Sequence, residues 1–146
     1  MINKINKYSG VTGVVYLDEK PKKFAVTQTR RGTSIPGGGI DENDKSTTDA
    51  IYREIEEELG LAATAIELHE TELIESFQYD ADKEGRKNEK VDRQIFFFFF
   101  LSDKLNPNDE EILSAKWCTY DEAMDALSWD NSKDTLKRAN FLLEQL

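Results

Sequence analysis

Glu54, Glu57 and Glu58 stand at i, i+3 and i+4. On a helix of 3.6 residues per turn this spacing puts three carboxylates on one face. Like charges so close repel one another in an isolated helix. A hard divalent cation offsets that repulsion, because Mg2+ and Mn2+ prefer oxygen ligands. The chemistry it would bring is Lewis-acid polarisation of a phosphoryl oxygen and a bound water of lowered pKa. The competing reading is a solvated charge run over Glu56, Glu57 and Glu58, the commoner fate of such a triplet. Its surroundings weigh against it: Arg53 directly precedes Glu54, and Pro36-Gly37-Gly38-Gly39 lies upstream.

The element that must carry these carboxylates is a helix starting near Ser46 or Thr47 and ending at Gly60. Ser46 and Thr47 are good N-caps, and Asp49 suits the positive end of the helix dipole. Gly60 stands where a left-handed C-terminal cap is wanted. Ile51, Ile55 and Leu59 form an apolar stripe on a different face, with Tyr52 near its edge. The glycine run reads as a tight loop that brings backbone close to the acidic face. It lacks the Gly-Lys-Ser/Thr of a Walker loop and the spacing of a dinucleotide fingerprint.

The segment 36–61, PGGGIDENDKSTTDAIYREIEEELGL, resembles the Nudix box of the nucleoside diphosphate hydrolases, G-x5-E-x7-R-E-U-x-E-E-x-G-U with U aliphatic. The second half matches at Arg53, Glu54, Ile55, Glu57, Glu58, Gly60 and Leu61. The first half departs. Counted back from Arg53, the early Glu is Lys45; counted forward from Gly38, it is Asp44. The simplest account is one extra residue between Asp44 and Arg53, with Asp44 in place of the Glu. The resemblance covers roughly residues 9–128 and implies an α+β fold, a mixed β-sheet sandwiched between α-helices (an α/β/α sandwich).

The resemblance also implies roles. Glu57 and Glu58 are assigned as ligands of Mg2+ or Mn2+, and Glu54 as a further ligand or the general base. Arg53 holds the glutamates, and a Gly38 or Gly39 carbonyl completes the shell. Glu111, with Glu110 as its rival, is the candidate for one more carboxylate, from position alone. Arg30 and Arg31 are candidate phosphate contacts, since guanidinium binds phosphate through paired hydrogen bonds; two solvated arginines are the plainer alternative. Thr33 and Ser34 stand where family members often carry a Trp, so no base stacking is expected there. Tyr79, 18 residues after Leu61, matches a tyrosine of some diadenosine polyphosphate hydrolases, or is a strand-end aromatic.

The rest of the chain supplies the frame. Its 146 residues suit one domain, 1–146, with no repeat or linker in view. Strands are expected over 9–17 and 23–29 as a hairpin, then two short ones over 63–68 and 72–79 with His69 between them. Residues 80–92 read as a long charged loop whose Lys83, Arg86 and Lys87, with Lys90 and Arg93, are candidates for distal phosphates. The run IFFFFFL, 95–101, reads as a central strand buried on both faces. A strand-like stretch over 110–119, a helix over 120–127 and a final helix over 132–146 capped by Ser132 complete the expectation.

A net charge of −10 argues against binding a nucleic-acid duplex through its backbone. No apolar run reaches a membrane-spanning length, and a cytoplasmic location follows by default. The single Cys118, beside Trp117, reads as a small core residue, without a Cys–His arrangement. The expected activity is metal-dependent hydrolysis of a nucleoside diphosphate linked to another moiety, a nucleoside triphosphate or dinucleoside polyphosphate, by a monomer or homodimer. The alternatives are a catalytically silent Nudix domain that senses nucleotides and a plain interaction domain with an acidic face.

Overall fold

The computed structural model describes residues 8–17, 19–61, 66–78, 90–100, 105–107 and 110–145, and side chains within 66–78 and 90–100 at positions 73–76 and 92–95. Its elements, in chain order, are β1 (Gly10–Leu17), β2 (Lys23–Thr29), β3 (Gly32–Ser34), β4 (Gly37–Gly39), α1 (Thr47–Leu59), β5 (Ile66–Gln78), β6 (Lys90–Phe100), β7 (Ser114–Thr119), α2 (Tyr120–Ala126) and α3 (Asp130–Glu144).

The strands form one mixed sheet that forks. β1 and β2 pair antiparallel only beside their hairpin, at Tyr16↔Phe24 and Leu17↔Lys23. Beyond that point the two strands part, and the chain that follows β2 fills the gap. β3 pairs with Thr27–Thr29 of β2, while β4 pairs with Gly10–Thr12 of β1. β6 runs parallel to β1 on its other side, from Gly10↔Arg93 to Tyr16↔Phe99, and β5 closes that edge antiparallel to β6. β7 closes the opposite edge against β2.

Alternation along the strands sends side chains to two cores. Val11, Val15, Leu17 and Ala25 face α1, whose Ala50, Ile51, Ile55 and Leu59 are fully buried against them. Val14, Tyr16, Phe24, Val26 and Ile95 face α2 and α3, packing on Ala123, Leu127, Leu136, Ala139 and Leu143. The sheet is thus held between helices on both faces, the α/β/α sandwich that the resemblance implies. Truncating Ile55 or Leu59 to Ala should cost about 2–5 kcal/mol, since each fills a closed site.

Four expectations need correction. The glycine run is not a loop: Gly37–Gly39 is a strand, because bare glycine backbone lies close enough to β1 to pair with it. The two short strands after α1 are one strand, β5, and His69 sits inside it opposite Phe97 rather than in a turn. Only a register shift between Glu70 and Ile74 marks the expected break. β6 begins at Lys90, so Lys90, Val91 and Asp92 are strand, not loop. Finally, α3 starts at Asp130 after Trp129, and Ser132 lies buried in its first turn instead of capping it.

Candidate active site

The register gathers the candidate residues at one end of the sheet, away from the β1–β2 hairpin. Gly10 of β1 stands there beside Gly39 and Arg93. On the other prong, the exposed turn holding Arg30 and Arg31 follows β2, and the exposed turn holding Glu110 and Glu111 precedes β7.

α1 brings its acidic face to this end. Ser46 caps it, its hydroxyl accepting from the Asp49 amide at 3.1 Å. Gly60 ends it in the left-handed region at φ 73°, a conformation that suits glycine. A Cβ at Gly60 would also collide with the Asn106 carbonyl group. α1 packs on β1 and β4.

β4 lies directly against the carboxylates. The Gly37 amide donates to Glu58 Oε2 at 3.0 Å. A Cβ on Gly38 would fall 2.7 Å from Glu54 Oε2 and 2.8 Å from Oε1, so the glycine leaves room for that carboxylate. Glu58 is 6% exposed. Its burial pushes its pKa well above the ordinary carboxylate range, and the neighbouring Glu54 pushes it further, against the pull of the Gly37 amide and Arg93.

Arg53 is the hub of the polar side. It donates through Nη1 to Glu54 Oε1 at 2.7 Å and through Nη2 to the Gly39 carbonyl at 3.2 Å. Nε and Nη2 form a fork on Asp44, at 3.2 Å to Oδ1 and 2.7 Å to Oδ2. Glu57, half-exposed, holds Oε2 at 3.7 Å from Nη1. The fork holds the Asp44 carboxyl below its ordinary pKa and keeps Arg53 charged. Asp44 is itself fixed by a turn, its Oδ2 accepting from the Asp41 amide at 2.7 Å. Lys45 is exposed, and its amide serves Asp49 instead.

The sequence-derived candidates therefore divide. Arg53, Glu54, Glu58 and Gly38 meet in one site, with Glu57 at its rim. Arg30, Arg31 and Glu111 stand in exposed turns on the other prong of the sheet. Tyr79, Lys83, Arg86 and Lys87 lie outside the described residues. Among the described residues, no three His, Cys, Asp or Glu side chains are placed together so as to hold a metal ion. Cys118 is buried, and burial raises its thiol pKa, as a core residue requires. A cleft of about 230 Å3 lined by Val26, Gln28, Thr33, Ser114, Lys116 and Ala126 opens on the α2 side of the sheet and contains none of the acidic cluster.

The site thus joins a glutamate-bearing helix, braced by Arg53, to a glycine strand laid across its acidic face. The model of the NUDIX domain family matches residues 7–139. The chain belongs to the Nudix family. Its fold is shared with an Ap4A hydrolase of C. elegans, at TM-score 0.79 and 17% identity over 95% of this chain and 99% of that one. The dihydroneopterin triphosphate pyrophosphohydrolase of E. coli gives 0.75 and 15% over 88% and 92%. The NUDIX domain of Shewanella oneidensis NrtR, solved with ADP ribose, gives 0.73 and 16% over 92% and 86%. The protein is a Nudix hydrolase, acting on phosphoanhydride bonds. Among the described residues, no helix is long and apolar enough to cross a membrane.

Proposed function

We propose that this Nudix hydrolase is a divalent-metal-dependent pyrophosphohydrolase, using Mg2+ or Mn2+, that cleaves a nucleoside diphosphate linked to another moiety. Its preferred substrate is a nucleoside triphosphate or a dinucleoside polyphosphate. The observation that carries the metal is the crowding of Glu54 and Glu58 beside the Gly37–Gly39 backbone. Oxygen donors alone make up this set, which suits a hard cation.

Glu57, Glu58, Glu54 and the Gly38 carbonyl are the groups that would hold the ion. When bound, the metal supplies Lewis acidity and a water of lowered pKa. Glu54 is the base that takes the water proton, and its Oε1 is aimed by the short bond from Arg53. Asp44 takes the part of the early box carboxylate, fixing Arg53 by the fork. Arg30 and Arg31 meet the outer phosphates, which a chain of net charge −10 must neutralise locally. Glu111 is the further carboxylate, brought in from its exposed turn, and Tyr79 contacts the substrate.

The solved relatives suggest which substrates to test. Nucleoside triphosphates, dinucleoside polyphosphates, dihydroneopterin triphosphate and ADP-ribose are incubated with Mg2+, and products are separated by anion exchange. Cleavage within the phosphate chain of a triphosphate or dinucleoside polyphosphate is expected. A preference for ADP-ribose would correct the substrate class, and intact substrates throughout would overturn the activity.

A further inference from the structure

Glu75 is a buried carboxylate on the edge strand β5, 4% exposed, and the proposed reaction gives it no part. Each of its oxygens accepts one hydroxyl. Thr12 Oγ1 of β1 donates to Oε1 at 2.8 Å, and Thr135 Oγ1 of α3 donates to Oε2 at 2.8 Å. Both threonines are buried as well. A buried carboxylate costs free energy that an apolar side chain of the same shape avoids, so packing alone gives no reason to keep one here.

Thr12 supplies the reason. It pairs with Gly37 in the β1–β4 register. A Cβ on Gly37 would collide with the Val11 carbonyl oxygen, and would come within 3.0 Å of Thr12 Cα and 3.3 Å of Thr12 Oγ1. Gly37 is therefore paired with the residue whose hydroxyl Glu75 holds, and a side chain there would meet the Val11 and Thr12 backbone first and that hydroxyl next. The amide of that same Gly37 donates to Glu58 at 3.0 Å.

We infer that Glu75 is a positioning residue for the acidic site: it fixes the Thr12 hydroxyl, Thr12 sets the seat of Gly37, and the Gly37 amide sets Glu58. The inference rests on the reading of Glu58 as a metal-holding carboxylate. Thr135 is the other leg of the same carboxylate; it ties α3 to the sheet and does not touch β4 pairing.

The test compares Mn2+ affinity, by electron paramagnetic resonance or calorimetry, with melting temperature. Thr12→Val and Thr135→Val each remove one buried hydrogen bond to Glu75 and should lower stability alike. Only Thr12→Val should weaken Mn2+ binding, about tenfold, while Thr135→Val stays within about twofold of wild type. Glu75→Leu should match Thr12→Val, the double variant should be no weaker than either, and Glu75→Gln should restore binding relative to Glu75→Leu. Equal Mn2+ affinity in wild type and Thr12→Val, or equal weakening by Thr12→Val and Thr135→Val, overturns the positioning role. A wild-type protein that binds no Mn2+ overturns the metal reading itself, and this role with it.

Discussion

Arg53 is the residue whose loss would reach furthest, because one guanidinium spans Asp44, Glu54 and the Gly39 carbonyl. Asp44 makes that guanidinium a fixed group. Asp44→Asn should fold, lose about 1–3 kcal/mol at neutral pH, and lower kcat, as Arg53 loses its fork. The pH dependence has a defined sign. The folded carboxyl titrates below its unfolded value of about 3.9, so its stabilisation is complete above that pH and is lost as pH falls through the folded pKa. The melting-temperature gap between wild type and Asp44→Asn should hold at neutral pH and close below about pH 4. A gap that does not narrow as pH falls below about 4 would contradict this. The shared face of the glutamates was legible from their spacing, whereas their role came only from the box resemblance. The count favoured Asp44 over Lys45, but its pairing with Arg53 was not legible, because it depends on the turn through Asp41 that fixes the carboxyl. Glu75 gave no signal, since its inward position depends on a pairing between distant strands.

Among the elements, β4 sets the tolerance of the site. Gly38→Ala would push on the end of a flexible side chain, so the protein should melt near wild type while Glu54 is displaced and kcat falls at least about tenfold. Gly37→Ala would push on β1 backbone and should destabilise the fold by more than Gly38→Ala does. Melting curves and turnover of the two variants separate these outcomes. The helix that faces β4 depends on its cap, and Ser46→Ala should cost about 1 kcal/mol by denaturant titration. The bounds of α1 were readable because Ser46 and Gly60 are local signals. β4 was not, since a three-residue glycine strand has no pattern of its own and exists only by pairing with Gly10–Thr12. The start of α3 was missed for a related reason: Trp129 makes no side-chain cap bond, so the hydroxyl of Ser132 misled.

At the scale of the molecule, the fork between β1 and β2 is what turns a sheet into a site. It lets β3 and β4 enter between the prongs and carries the glycine strand to the acidic helix. The α/β/α arrangement was legible through the box, and the two cores follow from strand alternation. The order of strands was not legible, because parallel pairing of β1 with β6 joins segments about 80 residues apart that share no local mark. The fork brings β4 against Glu54 and Glu58 in a chain of net charge −10, so a divalent cation should raise the melting temperature by binding the folded state. Its removal by a chelator should abolish turnover and reverse the shift.

The most direct measurement is turnover of the best nucleotide substrate as Mg2+ is titrated, in wild type and Glu57→Gln. The account requires wild-type activity that rises from nothing with metal and falls at least about a hundredfold in the variant. Equal turnover in the two proteins, or wild-type turnover that survives a chelator, would contradict the metal-bearing helix as the centre of catalysis.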